Sequence, residues 1–330
     1  MKRIIISRTD NLGDVILTLP MAGILKQEFP GSTIIFLGKK YTKPIIDACG
    51  HIDEFIDWDE LKMRIDNGEW RMEDEKLKAD IILHVFPVKQ IQRFAKKAKI
   101  PIRISTSHRV YSWLYCNKLV HYSRKKSNLH EAQLNLMLLK PLGITREYPL
   151  SEISCLYGLT KIPSLSTNLR PNPNHFNLIL HPKSKGSARE WGLDNFSKLI
   201  DLLPEDNIRI SVTGTKEEGD LMKDFLSHYR NRITDMTGKL SVAELLSYIN
   251  SCDGLVAAST GPLHIAAALG KRAIGIYAPM RPIFPERWAP LGKNATFLVL
   301  DKKCDDCRGT GNCACIRAIT PEEVVSKLIN

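Results

Sequence analysis

The chain has 330 residues, 43% apolar and 25% charged, with a formal net charge of +11. This is ordinary globular composition, at a length that suits two domains. No run of about 18 uncharged apolar residues occurs, which excludes a membrane-spanning helix, and "MKRIIISRTD" lacks the features of a signal peptide, so a cytoplasmic protein is expected.

The first predicted strand is "RIIIS", residues 3–7, which runs into "SRTDNLGDVILTLP". Gly13 permits a tight turn and close approach of a ligand to the backbone. Asp14 follows at the start of a helix. It either complements the helix dipole, worth about 0.3–1 kcal/mol, or acts as a carboxylate base. The glycines do not form G-x-G-x-x-G, so a standard dinucleotide-binding loop is not indicated. "STIIFLG", "EFIDW" and "ADIILHVF" are the next strands. The D-x-D spacing of Asp57 and Asp59 follows an edge-like strand and reads as surface.

From residue 81 to 130 there is no Asp or Glu, while eleven Lys and Arg account for the whole net charge. Phe94, Tyr111, Trp113, Tyr115 and Tyr122 are interleaved with them. Such a block attracts phosphates of nucleic acid, anionic lipid or a phosphorylated substrate, or is simply a solvated face. A Pro-, Ser- and Asn-rich stretch, "KIPSLSTNLRPNPNHF", then reads as the linker between two halves.

The second half repeats the alternation. "FNLILHP" ends in "HPKSKGSAREWGLDNF", where Ser184, Lys185 and Arg189 suit a diphosphate, the alternative being a solvated loop with Trp191 as core anchor. "NIRISVTG" leads to "TGTKEEGDL", in which Thr215 and Glu218 form a capping box and leave Glu217 less committed. "SVAELLSYINSC" carries a second box, Ser241 with Glu244. "DGLVAAS" then leads to "STGPLHIAAALG". Ser259 or Thr260 caps, Gly261 and Pro262 open the helix, and its first N–H groups make an anion site. His264 falls in the first turn, where a lone histidine is more often packed than catalytic. "RAIGIYAP" is the last predicted strand. Cys304, Cys307, Cys313 and Cys315 follow as C-x2-C and C-x-C, which suits a structural zinc or four reduced thiols. Thr320 and Glu323 cap a terminal helix with Pro321 at its first position.

Continuous β-branched strands alternating with helices predict an α/β protein with two doubly wound parallel sheets. The domains are set at 1–165 and 166–330, with ligands outside the carboxyl ends of the strands.

The combination of "SRTDNLGDVILTLP", "HPKSKGSAREW" and "STGPLHIAAALG", with the tail "KKCDDCRGTGNCACIRAITPEEV", resembles the family 9 glycosyltransferases, which include the ADP-heptose:lipopolysaccharide heptosyltransferases. The resemblance implies a GT-B fold of two Rossmann-like domains with an interdomain cleft. The first would receive a lipopolysaccharide inner-core acceptor and the second a nucleotide-sugar, ADP-heptose. The last helix, 320–330, would pack back on the first domain. Asp14 matches the general base. Ser184, Lys185, Arg189, Glu217, Glu218, Ser259, Thr260, Gly261 and His264 fall on the donor side, and Gly13, Arg103, Lys125 and Lys126 on the acceptor side. Transfer would invert the anomeric centre and need no cofactor. Heptosyltransferases often carry Asp where Ser259 stands. The acceptor and the basic block imply peripheral association with the anionic inner face of the inner membrane, and no specific nucleic acid. The competing readings are a transferase or epimerase with a different nucleotide-sugar, and a basic nucleic-acid-binding protein.

Overall fold

A computed structural model describes residues 2–71, 74–124, 126–302, 304 and 312–329. The chain divides into two compact units, 1–161 and 162–330.

The first unit is built on six parallel strands: β1 (Arg3–Ser7), β2 (Thr33–Gly38), β3 (Glu54–Asp57), β4 (Ile81–His84), β5 (Ile102–Thr106) and β6 (Lys118–Val120), ordered β3-β2-β1-β4-β5-β6. Ile4, Ile5 and Ile6 are all fully buried, as consecutive apolar residues must be in a strand covered on both faces. Order reverses between β1 and β4, where Ser7 lies in register with His84. That reversal is the crevice at which doubly wound sheets bind ligands.

The second unit repeats the plan with β7 (Phe176–His181), β8 (Ile208–Val212), β9 (Ile233–Asp235), β10 (Gly254–Ala258), β11 (Arg272–Tyr277) and β12 (Ala295–Val299), ordered β12-β11-β10-β7-β8-β9 and again wholly parallel. Its switch lies between β7 and β10, with Ala257 level with His181. Trp191 is fully buried, donates its indole N–H to Ile319 O at 2.8 Å, and meets Phe196 edge-on.

The capping boxes form as their spacing predicts: Ser241 N donates to Glu244 at 2.8 Å and Thr320 N to Glu323 at 2.7 Å. Pro321–Ile329 packs on the Leu193–Leu202 helix and on β11 and β12. Val324 and Leu328 enter the second unit's core, which gives the helix's apolar face its burial within its own unit.

Candidate active site

The first unit gathers its charge where β1 ends. Arg8 is 2% exposed and its guanidinium is fully engaged. It pairs with both oxygens of Asp10 at 2.8 and 3.0 Å, with Asp14 through Nη2, and with Glu131 at 3.3 Å, and donates to Asn135 Oδ1 at 3.0 Å. Arg124 closes the ring, its Nε 3.1 Å from Glu131 and its Nη2 3.0 Å from Asn135 Oδ1. Glu131 and Asn135 come from the Glu131–Leu136 helix, which His130 and Gln133 cap. Asn135 also donates to Leu17 O at 3.1 Å, tying that helix to the segment bearing Asp14.

Two guanidinium groups thus face three carboxylates. Burial lifts the Asp14 carboxyl to about 6; Arg8 pulls it down, and Asp10 and Glu131 push it back up. Burial also opposes the Arg8 charge, but the three acids more than offset it and hold the guanidinium protonated. Asp10 and Asp14 keep 17% and 15% of their side chains exposed, whereas Glu131 keeps 1%. Asp14 is therefore a partly exposed carboxylate held beside a fixed cation, an arrangement chemically able to take a proton. His84, in register with Ser7, is fully buried and depressed by burial to about 3, so it stays neutral.

Gly13 sits beside Asp14 in the Leu12–Ile16 helix. Arg103 does not join them. It lies near the amino end of β5, where Nε donates to Tyr115 O at 2.8 Å, Nη1 donates to Ile100 O, and its backbone N–H bonds Asn117 Oδ1. There it stitches strand to loop, away from the ends that carry the ring. Lys126 is exposed, and Lys125 lies outside the described residues.

In the second unit three candidate loops follow β7, β8 and β10, neighbours in the sheet. After β7, Ser184 to Ser187 forms a tight turn with Lys185 at φ +48° and Gly186 at φ +79°, closed by Ser187 N to Ser184 O at 2.9 Å. A left-handed lysine is uncommon and orients an exposed ammonium outward. Ser184 is buried, donating Oγ to Ala188 O at 3.0 Å and N–H to Glu190 at 3.2 Å; Lys183 pairs with Glu190 at 2.9 Å. Arg189 is half-buried at the turn's end.

After β8 the two adjacent acids separate. Glu218 is buried and spends Oε2 on Thr215 N at 2.8 Å, the capping role its spacing predicts. Glu217 is exposed; its own backbone N–H and Thr215 hold its carboxyl below the usual pKa range, with further help from Lys185 and Lys216. After β10, Thr260 is the N-cap of the Gly261–Ala268 helix but makes no side-chain cap bond. Its hydroxyl is buried with no hydrogen-bond partner among the described residues. An orphaned hydroxyl beside the first N–H groups of a helix suits an anionic ligand. Ser259 is half-buried, and His264 is packed at 2% exposure.

Among the cysteines, Cys313 and Cys315 are buried in the second unit's core and Cys304 packs against it, while Cys307 lies outside the described residues. No helix among the described residues is long and apolar enough to cross a membrane.

Arg8, Asp10, Glu131 and Asn135 were not among the residues singled out in the sequence. Arg8 and Asp10 stand in the same motif as Asp14, and Glu131 is the first acid after the acid-free span, but nothing local joins the two segments.

The sequence profile of glycosyltransferase family 9 (heptosyltransferase) matches residues 91–315. Lipopolysaccharide heptosyltransferase 3 of Escherichia coli is 22% identical over 295 residues, 86% of this chain and 83% of that protein. ADP-heptose lipopolysaccharide heptosyltransferase II of E. coli superposes with a TM-score of 0.77 at 18% identity, covering 99% of this chain and 97% of that one. An E. coli heptosyltransferase solved with ADP gives 0.75 at 16% identity, covering 99% and 98%.

Proposed function

The chain belongs to glycosyltransferase family 9, and on that premise we propose that it transfers heptose from ADP-heptose to a lipopolysaccharide inner-core acceptor with inversion. The observation that carries the reading is Asp14: a partly exposed carboxylate at the end of β1, lifted to about 6 and held by a buried arginine. A base of that strength is ionised at neutral pH and still takes a proton in the transition state. The acceptor oxygen bonds to the anomeric carbon while its proton passes to Asp14. The carbon–oxygen bond to the β-phosphate breaks, and its electron pair leaves with ADP.

The departing diphosphate needs positive charge and donors. Lys185 and Arg189 supply the first, and the Thr260 hydroxyl with the N–H groups from Gly261 onward supply the second. With cations in that position the reading requires no cofactor. Ser184, Ser259 and His264 line the donor loops. Glu217 is assigned to the ribose hydroxyls, since Glu218 is committed to its cap. On the acceptor side we keep Gly13, Lys125 and Lys126; the Arg103 guanidinium is already spent on backbone carbonyls.

Ser259 favours a second donor sugar as the alternative, because a neutral hydroxyl stands where heptosyltransferases often present an acid. The reading also places the enzyme at the anionic inner face of the inner membrane and assigns a structural zinc to Cys304, Cys307, Cys313 and Cys315, which metal analysis of the purified protein tests. Its main test is turnover of ADP-heptose against other nucleotide-sugars, with and without purified inner-core acceptor. Acceptor-dependent release of ADP supports it, and turnover without acceptor, or none with any donor, refutes it.

A further inference from the structure

The short helix Val110–Tyr115 is inside out. Its fully buried residue is a serine, Ser112, while Val110, Trp113 and Leu114 are 81%, 66% and 61% exposed. Helices of folded domains normally turn such residues inward. The reversal is held firmly. Ser112 Oγ accepts from Gln92 Nε2 at 3.1 Å and lies 3.3 Å from Ser105 Oγ. Tyr111 donates its hydroxyl to Pro87 O at 2.9 Å. Trp113 donates its indole N–H to Ser107 O at 2.9 Å, so its one polar group is satisfied and the ring it shows outward is purely apolar.

Cations frame this apolar tip. Lys96, from the adjoining Lys89–Lys97 helix, donates to Leu114 O at 2.8 Å and lies 5.9 Å from the Tyr115 ring. Arg109, which precedes the helix, and Lys118, three residues after it, are exposed, within the span that holds no acid. We propose that the Val110–Tyr115 helix docks the protein on an anionic bilayer, seating Trp113, Leu114 and Val110 at the headgroup–acyl boundary with the cations at phosphate level. The proposal rests on the reading of a membrane-borne acceptor. Three side chains are far less than a stable protein interface of about 800 Å² per partner requires. An apolar tip joined to a polybasic rim supplies the two signals that membrane docking needs, and tryptophan favours that interface.

The test is co-sedimentation of the full chain with vesicles of phosphatidylglycerol and phosphatidylethanolamine, set against phosphatidylcholine alone. The double variant Val110→Ser, Leu114→Ser should bind the anionic vesicles about tenfold more weakly at unchanged melting temperature. Lipids brominated in the acyl chain should quench the wild-type tryptophan fluorescence, and Trp113→Phe should abolish that quenching. Wild-type affinity in the double variant, or quenching that persists in Trp113→Phe, overturns the proposal. So does a change in the sedimentation coefficient of the lipid-free double variant, which would mean that a second copy covers the tip. Turnover with a delipidated, water-soluble acceptor should be equal in wild type and variant. Its absence in wild type would fail the transferase reading and leave the vesicle result standing.

Discussion

Replacing Asp14 by asparagine should make the protein more stable and nearly inactive. The ring around Arg8 carries three carboxylates against two guanidinium groups, and a neutral amide in place of the Asp14 carboxylate would balance it at nearly the same volume. The sign follows from the shift. An ordinary aspartate ionises near 3.8, whereas burial holds Asp14 to about 6. The fold therefore bears the full cost of ionising Asp14 above pH 6, and that cost fades as pH falls toward 4. A shift of roughly two pH units corresponds to about 3 kcal/mol, an upper bound for a group that keeps some contact with water. Urea unfolding of Asp14→Asn at pH 8 should show a gain approaching that value, with wild type and variant converging near pH 4. Turnover should drop by about 10²–10⁴-fold, the usual contribution of a positioned base, while ADP binding persists. A variant less stable than wild type at pH 8, or one that still turns over, would refute the reasoning.

Thr260→Val removes a buried hydroxyl that the fold does not use, so the melting temperature should stay within about 2 °C while ADP affinity falls by roughly tenfold in calorimetry; unchanged affinity would remove Thr260 from the diphosphate site. Glu218→Gln and Glu217→Gln should separate cleanly. The first weakens a capping box and lowers stability by up to about 1 kcal/mol, and the second leaves stability alone and weakens nucleoside binding. His84 is neutral in the fold down to about pH 3 but charges near 6.5 once unfolded. Its contribution to stability is therefore lost as pH falls from 6.5, by roughly 3 kcal/mol at pH 4.5. His84→Leu should flatten the acid side of the urea-midpoint profile, and an unaltered slope would show that other groups set it.

The legible part of the fold was the part with local periodicity. "RIIIS" coincides with β1 and "FNLILHP" matches β7 to within one residue, because their apolar runs end close to where the strands end. β6 and β9 are three-residue edge strands, too short to show a period, and β5 is interrupted by the charge of Arg103. The capping boxes were readable because four adjacent residues make them. The contacts of the terminal helix within its own unit were not, since an apolar stripe says that a helix packs but not on what. The same limit governs the site. Asp14 and the loops after β7 and β10 are carried by contiguous motifs. The guanidinium that holds Asp14, and the acid and amide that hold that guanidinium, are joined only by the folded sheet.

Arg8 is synthesised early and completed late. Its bond to Asn135 spans 127 positions of chain and its pairing with Glu131 spans 123. Local pairing with Asp10 can form as soon as β1 emerges from the ribosome, but closure of so long a loop is slow by comparison. The electrostatic field that tunes the base therefore arrives at the end of the first unit's assembly. A chain stalled or clipped ahead of Glu131 would already contain Asp14, yet in an environment closer to water, with the acidity of an ordinary aspartate.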